Sequence, residues 1–226
     1  AARQLAAVNN VNYGAELVLE KHLPVASGIG GGSADAAAAM HSLIALWRIP
    51  PDAKKLQRAA LSLGADVPVC LSGRAAYMAG IGEHLTPLDE LCELHAVLVN
   101  PAIAVSTGEV FSRLEHSRTS KLTQPRNSEP ILPKNLSDVA EVVSLLSGCR
   151  NDLESSALAL YPVIGRALDC LRNDPHCLLA RMSGSGGTCF GIFCANRAAA
   201  QCAERIKLDF PDWWVRATRI GGAARP

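Results

Sequence analysis

Hydrophobic residues recur at helical spacing in some stretches of this chain and at alternating or continuous spacing in others, and the two kinds succeed one another in a definite order. Residues 1–7 read as the back part of a helix. Residues 15–21 alternate as a strand, with Leu17 and Leu19 on one side and Glu16, Val18 and Glu20 on the other. Residues 34–46 are an unbroken helix former. A second helix follows Pro50, Pro51 and Asp52, carries Leu56, Ala59, Ala60 and Leu63 on its apolar face, and stops at Gly64. Residues 65–69 read as a tight segment leading to a strand at 75–79, a glycine turn at 80–82 and a short strand ending at Leu85. Residues 87–93 read as the joint between two domains, 1–88 and 89–226.

Beyond the joint, 95–100 is a buried strand and 107–114 a short helix. The polar, proline-spotted stretch 115–134 reads as a surface loop. Helices are expected at 138–146, 153–160 and 163–172, strands at 178–182 and 188–193, a helix at 198–208 and a strand at 213–220. Strand, helix, strand, strand, helix, strand, with extra helices inserted, is the ferredoxin-like order. The fold class is therefore α+β.

Composition narrows the class of function. The 226 residues are 49% hydrophobic and 19% charged, enough to build a packed core. A formal net charge of +1 gives no reason to invoke nucleic acid or an acidic membrane surface. The apolar runs are broken by His41, Arg48 or glycine well short of a membrane span. Eight cysteines occur with no Cys-x-x-Cys, set among Val, Leu, Phe and Ala, which favours reduced thiols and a cytoplasmic protein over a disulfide scaffold or a zinc site. The six histidines have no metal-site partners at helical spacing.

The densest chemical signal lies between Leu23 and Leu46. Gly28, Gly30, Gly31 and Gly32 precede Ser33 and the long helix. Bare backbone amides running into a helix N-terminus favour an anion, most often phosphate. There is no Gly-Lys-Ser/Thr ending, so this is not a Walker A loop, and no acidic-ended βαβ unit follows. The other reading is a flexible turn before a buried alanine-rich helix. Ser33 offers its hydroxyl to a phosphate oxygen or to Mg²⁺. Asp66, after Gly64 and beside Pro68, reads either as a turn former or as a rigidly held general base. The loop Ser183-Gly184-Ser185-Gly186-Gly187 reads by itself as a glycine hairpin, and Asn151 or Asp152 as a helix N-cap.

Pro24-x-x-x-Gly28-x-Gly30-Gly31-Gly32-Ser33-Ala34 resembles the nucleotide loop of the GHMP kinases, small-molecule kinases without a P-loop. The resemblance continues in Leu63-Gly-Ala-Asp-Val-Pro-Val69, Gly80-Ile-Gly-Glu83, Asn100-Pro101 with Ser106-Thr107, Asn151-Asp-Leu-Glu154 and Met182-Ser-Gly-Ser-Gly-Gly-Thr-Cys-Phe190. It runs from near Ala1 to about Ile220 and is strongest to the branch whose substrate is a cytidine diphosphate-linked methylerythritol, in isoprenoid precursor synthesis.

That resemblance implies two domains: a ribosomal-S5-like ATP-binding domain over 1–88 and a ferredoxin-like domain over 89–226. It implies ATP and Mg²⁺, a small-molecule substrate, no nucleic acid or membrane partner, and a monomer or weak homodimer. The implied nucleotide-binding residues are Lys21, Pro24, Val25, Ala26, Ser27, Gly28, Ile29, Gly30, Gly31, Gly32, Ser33 and Ala34. Lys21 reads equally as a solvated strand lysine. Asp66 stands at the family's catalytic aspartate. Thr107, Phe111, Gly184, Ser185 and Gly186 fall on the substrate side, Phe111 as an aromatic against cytosine or else as a core helix residue. In the family the 183–187 loop packs on the nucleotide loop, and Gly187 stands where alanine or proline is common, a departure expected to loosen it.

Residues 1–7 lack an initiator methionine and an N-cap, as expected of a fragment. The resemblance implies several tens of earlier residues carrying the first strands, a lysine paired with the aspartate, and a Tyr-His pair for cytidine. On that expectation the first domain is incomplete, and the alternatives to an active kinase are an inactive nucleotide-binding remnant or a GHMP kinase for another small alcohol.

Overall fold

The computed structural model describes residues 1–118 and 132–222, and the contacts divide the chain into two compact units. The first comprises residues 1–22 and 30–89, the second residues 23–29 and 90–226. The first half of the glycine loop thus groups with the second unit, while Gly30 opens the long helix of the first.

The first unit is mainly helical. It contains α1 (Ala2–Asn9), α2 (Gly31–Leu46), α3 (Ala53–Leu63), α4 (Val67–Ser72) and a hairpin of β1 (Ala76–Ala79) and β2 (His84–Pro87). Its core joins Leu5, Met40, Leu43, Ile49, Ala59, Ala60 and Val67. In α3 the expected apolar face does the packing, with Ala59 and Ala60 buried and Leu56 and Leu63 half-buried against the same cluster. The Asp52 carboxylate accepts the Lys55 N–H at 3.0 Å, capping the helix where the sequence places its start.

Two expectations for this unit fail. Residues 15–21 are irregular rather than a strand, and Leu17, Val18 and Leu19 are all exposed. Alternation supplies a strand's faces, but a strand also needs a neighbour to accept its ladder, and none of the described strands pairs with it. Residues 65–69, expected as a tight segment leading to a strand, instead run into a helix, with 67–72 forming α4. Val67 and Pro68 are buried, and proline's missing N–H costs nothing in a helix's first turn.

The second unit holds β3 (Glu90–Leu91), β4 (Leu94–Asn100), α5 (Thr107–Arg118), β5 (Asn135–Leu136), α6 (Val139–Ser147), α7 (Glu154–Leu160), α8 (Val163–Arg172), β6 (Cys177–Met182), β7 (Cys189–Phe193), α9 (Asn196–Asp209) and β8 (Trp214–Ile220). β3 and β5 form a short parallel pair. The main sheet runs β6-β7-β4-β8 with every neighbour antiparallel, the ferredoxin-like arrangement. The expected loop 115–134 is corrected at its start, where residues 115–118 complete α5; residues 119–131 lie outside the described residues.

Ile164, Ala167, Leu168 and Leu171 of α8 recur at helical spacing and are fully buried. Together with Ala199, Cys202, Ala203 and Ile206 of α9 they cover Val97, Val99, Cys189, Phe193 and Val215 of the sheet. Each fully buried Leu or Ile in that layer contributes about 1.5–3 kcal/mol. All eight cysteines are free. Burial pushes the Cys177 thiol up to about 11 and those of Cys189 and Cys202 up to about 12, so these three pack as neutral thiols. Among the described residues, no helix is long and apolar enough to cross a membrane.

The sheet order sets an expected gradient of protection. β4 and β7 are hydrogen-bonded on both sides, whereas β6 and β8 are edges and the β1–β2 hairpin has one ladder. In hydrogen exchange followed by mass spectrometry, amides of 97–99 and 189–193 are expected to exchange slowest and those of 76–87 much faster. Equal protection of the hairpin would contradict this gradient.

Candidate functional site

Residues 23–34 change character at Gly30. Ala26 and Gly28 take left-handed φ of 53° and 73°, so the chain doubles back before the helix. Ser27 is buried, and its carbonyl accepts the Thr188 N–H at 3.0 Å. The Ser183 Oγ donates to the Gly28 carbonyl at 2.8 Å. A Cβ on Gly28 would stand 2.8 Å from the Ser183 carbonyl oxygen and run into that of Gly186, so only glycine lets the two loops meet here. The hairpin reading of 183–187 is therefore incomplete: the loop does join β6 to β7, and it also carries the backbone that fixes Ser27 and Gly28. Gly187 is held rather than loose, since the Asn100 amide lies 3.0 Å from where its Cβ would be and bonds Thr188 Oγ1.

Gly30 is the N-cap of α2 at φ 69°. The helix starts at Gly31, earlier than the Ser33–Ala34 start expected from propensity, because the two glycines follow a preset turn. Ala34 N–H makes the first helical bond, to the Gly30 carbonyl at 2.9 Å. The amides of Gly31, Gly32 and Ser33 thus have no helical acceptor, and no side chain caps them. Nothing lies within 4 Å of where a Cβ would be on Gly30 or Gly32. Three amides without a helical acceptor, at the positive end of a 16-residue helix whose Gly30 and Gly32 leave their Cβ positions open, suit an anion. Lys21 forms an ion pair with Asp35 of the same helix. Pro24, Val25 and Ile29 complete the loop, and Ala34 is exposed on the helix.

Asp66 stands at the N-cap of α4, exposed, and its side chain does not cap that helix. Its carboxylate makes no hydrogen bond or ion pair with any described residue and is uncommitted, while its backbone carbonyl accepts the Cys70 N–H at 3.2 Å. What holds it is the turn around it. The 80–83 turn presses its backbone on the Ala65 carbonyl at Gly82, and the Gln57 amide donates to the Glu83 carbonyl at 3.3 Å. Donation from its own backbone N–H, and to a lesser degree from that of Ile81, holds the Glu83 carboxyl below the ordinary range. The Gly80-Ile-Gly-Glu83 motif carried no role in the sequence; here it braces the residue before Asp66.

On the second unit, Thr107 opens α5 and its Oγ1 lies 2.8 Å from Ser185 Oγ. Phe111, one turn further on, is exposed, which excludes the core reading. The Tyr161 hydroxyl donates to Glu109 Oε2 at 2.9 Å and accepts from the Ser106 N–H at 3.2 Å, fixing the start of α5. No sequence signal pointed to Tyr161. The first unit thus carries Lys21, Gly30, Gly31, Gly32, Ser33, Ala34 and Asp66. The second brings residues 24–29 to Gly184, Ser185 and Gly186, with Thr107 bonded to Ser185 and Phe111 beyond it.

Comparison with known proteins identifies a family. The GHMP kinases N terminal domain matches residues 1–74 and the GHMP kinases C terminal domain residues 134–212. A 4-diphosphocytidyl-2-C-methyl-D-erythritol kinase of Cereibacter sphaeroides is 52% identical over 214 residues, covering 92% of this chain and 72% of the relative. The enzyme of the same name from Parvibaculum lavamentivorans is 46% identical over 222 residues, covering 98% and 75%. A crystal structure of 4-(cytidine 5'-diphospho)-2C-methyl-D-erythritol kinase superposes with a TM-score of 0.72 at 30% identity, covering 98% of this chain and 77% of that one.

Proposed function

The chain belongs to the GHMP kinases and has their two-domain fold, and from that premise we propose that it transfers the γ-phosphoryl group of ATP to the 2-hydroxyl of 4-diphosphocytidyl-2-C-methyl-D-erythritol, a step in the non-mevalonate synthesis of isoprenoid precursors. The observation that carries the reading is the glycine-opened N-terminus of α2, with three amides that have no helical acceptor or side-chain cap and open Cβ positions at Gly30 and Gly32. Phosphoryl transfer asks a protein mainly for positioning and charge stabilisation. Backbone N–H groups from Ser27 to Ala34 hold the triphosphate, with Lys21 and residues 24–26 beside it. Asp66 takes the proton as the hydroxyl oxygen attacks the γ-phosphorus and ADP leaves. Thr107, Phe111, Gly184, Ser185 and Gly186 take the cytidine-linked alcohol, the exposed Phe111 ring stacking on the base.

The donor set also fits magnesium. Among the described residues no cluster of His, Cys, Asp and Glu is arranged as a metal cage, and Asp35 is already paired with Lys21. A magnesium ion that keeps its waters and the nucleotide's phosphates needs little more than the Ser33 hydroxyl, and when bound it supplies charge neutralisation for the phosphates. Domain roles follow as ATP-binding for 1–88 and substrate-binding for 89–226. The free thiols fit the cytoplasm, and the reading calls for a monomer or weak homodimer without nucleic acid or membrane.

The test is incubation of the protein with Mg-ATP and each of 4-diphosphocytidyl-2-C-methyl-D-erythritol, mevalonate and homoserine, followed by mass spectrometry of the alcohol. Phosphorylation of the cytidine-linked alcohol far faster than the others is expected. Transfer to another alcohol alone would reassign the substrate, and no binding of ATP would remove the kinase reading.

A further inference from the structure

The Asn151-Asp-Leu-Glu154 motif has no place in the reaction just described, yet its first residue reaches the nucleotide loop through two steps. The Asn151 Oδ1 accepts the Leu153 N–H at 3.0 Å, which opens the turn into α7. That leaves both hydrogens of Nδ2 on the other side, and each meets a carbonyl: Gly184 at 2.8 Å and Met182 at 3.1 Å. One acceptor and two donors from a single short side chain is what a primary amide provides and what an ionised aspartate lacks.

The two carbonyls bracket Ser183, whose Oγ holds the Gly28 carbonyl at 2.8 Å. Gly184 itself lies against Gly28, since a Cβ there would stand 3.1 Å from the Gly28 oxygen. Thr188, at the far end of the same loop, fixes Ser27. Two residues after Gly28 comes Gly30, whose left-handed turn aims the free amides of α2. Glu154 gives a contrast within the same motif: its carboxylate accepts the Met182 N–H at 3.4 Å and pairs with Arg172 at 3.2 Å, and it touches nothing in 183–187.

We infer that Asn151 is a positioning residue for ATP: by clamping the Met182 and Gly184 carbonyls it sets the 183–184 backbone that shapes Ser27 and Gly28 of the nucleotide loop. This rests on the kinase reading above, and it assigns Asn151 to the nucleotide first, with Gly184 as its smaller link to the alcohol side. The expected N-cap at Asn151 or Asp152 is corrected, since Leu153 is the N-cap of α7 and no side chain caps the helix; Asn151→Asp keeps the acceptor for the Leu153 N–H but turns a carboxylate toward two carbonyl oxygens. Asn151→Ser removes the clamp's second donor without adding charge.

The experiment measures ATP affinity by calorimetry, the KM of each substrate and the melting temperature for the wild type, Asn151→Asp, Asn151→Ser and Glu154→Ala. Asn151→Asp is expected to weaken ATP binding about tenfold or more and Asn151→Ser by less, with the KM of the alcohol, whose side of the loop begins at Gly184, rising by a smaller factor. Glu154→Ala is expected to lower the melting temperature while leaving ATP affinity within about twofold, the bound set by a surface contact of small worth. ATP affinity equal to wild type in both Asn151 variants would overturn the inference. So would an equal loss in Glu154→Ala, which would assign the effect to the stability of the strand end. A wild-type protein that binds no ATP would overturn the kinase reading beneath it, an outcome distinct from either.

Discussion

Asp66→Ala is expected to lower turnover by roughly 10² to 10⁴-fold, the usual span of a general-base contribution, while leaving ATP affinity and the melting temperature almost unchanged. The separation between these effects follows from how the residue is held. Its side chain does not cap α4 and bonds no described residue, so truncation breaks no contact of the fold. Exposed substitutions of that kind usually fall within about 0.5 kcal/mol of neutral. The turn it stands in is set by buried Val67 and Pro68 and by the 80–83 backbone against Ala65, and alanine preserves both. Single-turnover kinetics with saturating ATP would read the chemical step directly. A variant keeping more than half the wild-type rate would remove Asp66 from proton transfer.

Gly30→Val is expected to abolish tight nucleotide binding. At φ 69° a β-branched residue is an outlier, and the strain is on the order of 1–3 kcal/mol. Relief of that strain moves the N-cap and turns the amides of Gly31 and Gly32 away from the anion. Losing two hydrogen bonds to a charged group, each worth about 1.5–3 kcal/mol, corresponds to roughly 10² to 10⁴-fold in ATP affinity. Gly32→Ala separates strain from occupancy. Gly32 lies in the helix, is not left-handed, and has open space where a Cβ would go. Alanine there should therefore raise the melting temperature slightly, by the helix-propensity gain of about 1 kcal/mol, and still weaken ATP by standing where phosphate approaches. Calorimetry on both variants decides the matter. Unchanged ATP affinity in both would make the glycines a matter of chain geometry alone.

Much of this protein is local in origin and was legible as such. The Asp52 cap, the apolar face of α3 and the stop at Gly64 are all contained within a dozen residues. The strand and helix order of the second unit follows from hydrophobic period, because each element carries its apolar residues at its own local spacing. The run of glycines into a helix former is likewise a local statement about unpaired amides, and it pointed to phosphate before any partner was known.

Tertiary structure decided whatever depends on a partner far along the chain. Residues 15–21 alternate as a strand does, but alternation cannot supply a ladder, and no described strand provides one. α4 forms because burying Val67 and Pro68 against the helical core outweighs the turn chemistry of Gly64 and Asp66. The requirement for glycine at position 28 is set by carbonyls at Ser183 and Gly186. Glu83 and its turn matter to Asp66 only through Ala65, and Asn151 reaches the nucleotide loop only through Met182 and Gly184. Sequence fixes which backbone groups are left without a partner; folding decides what comes to stand beside them.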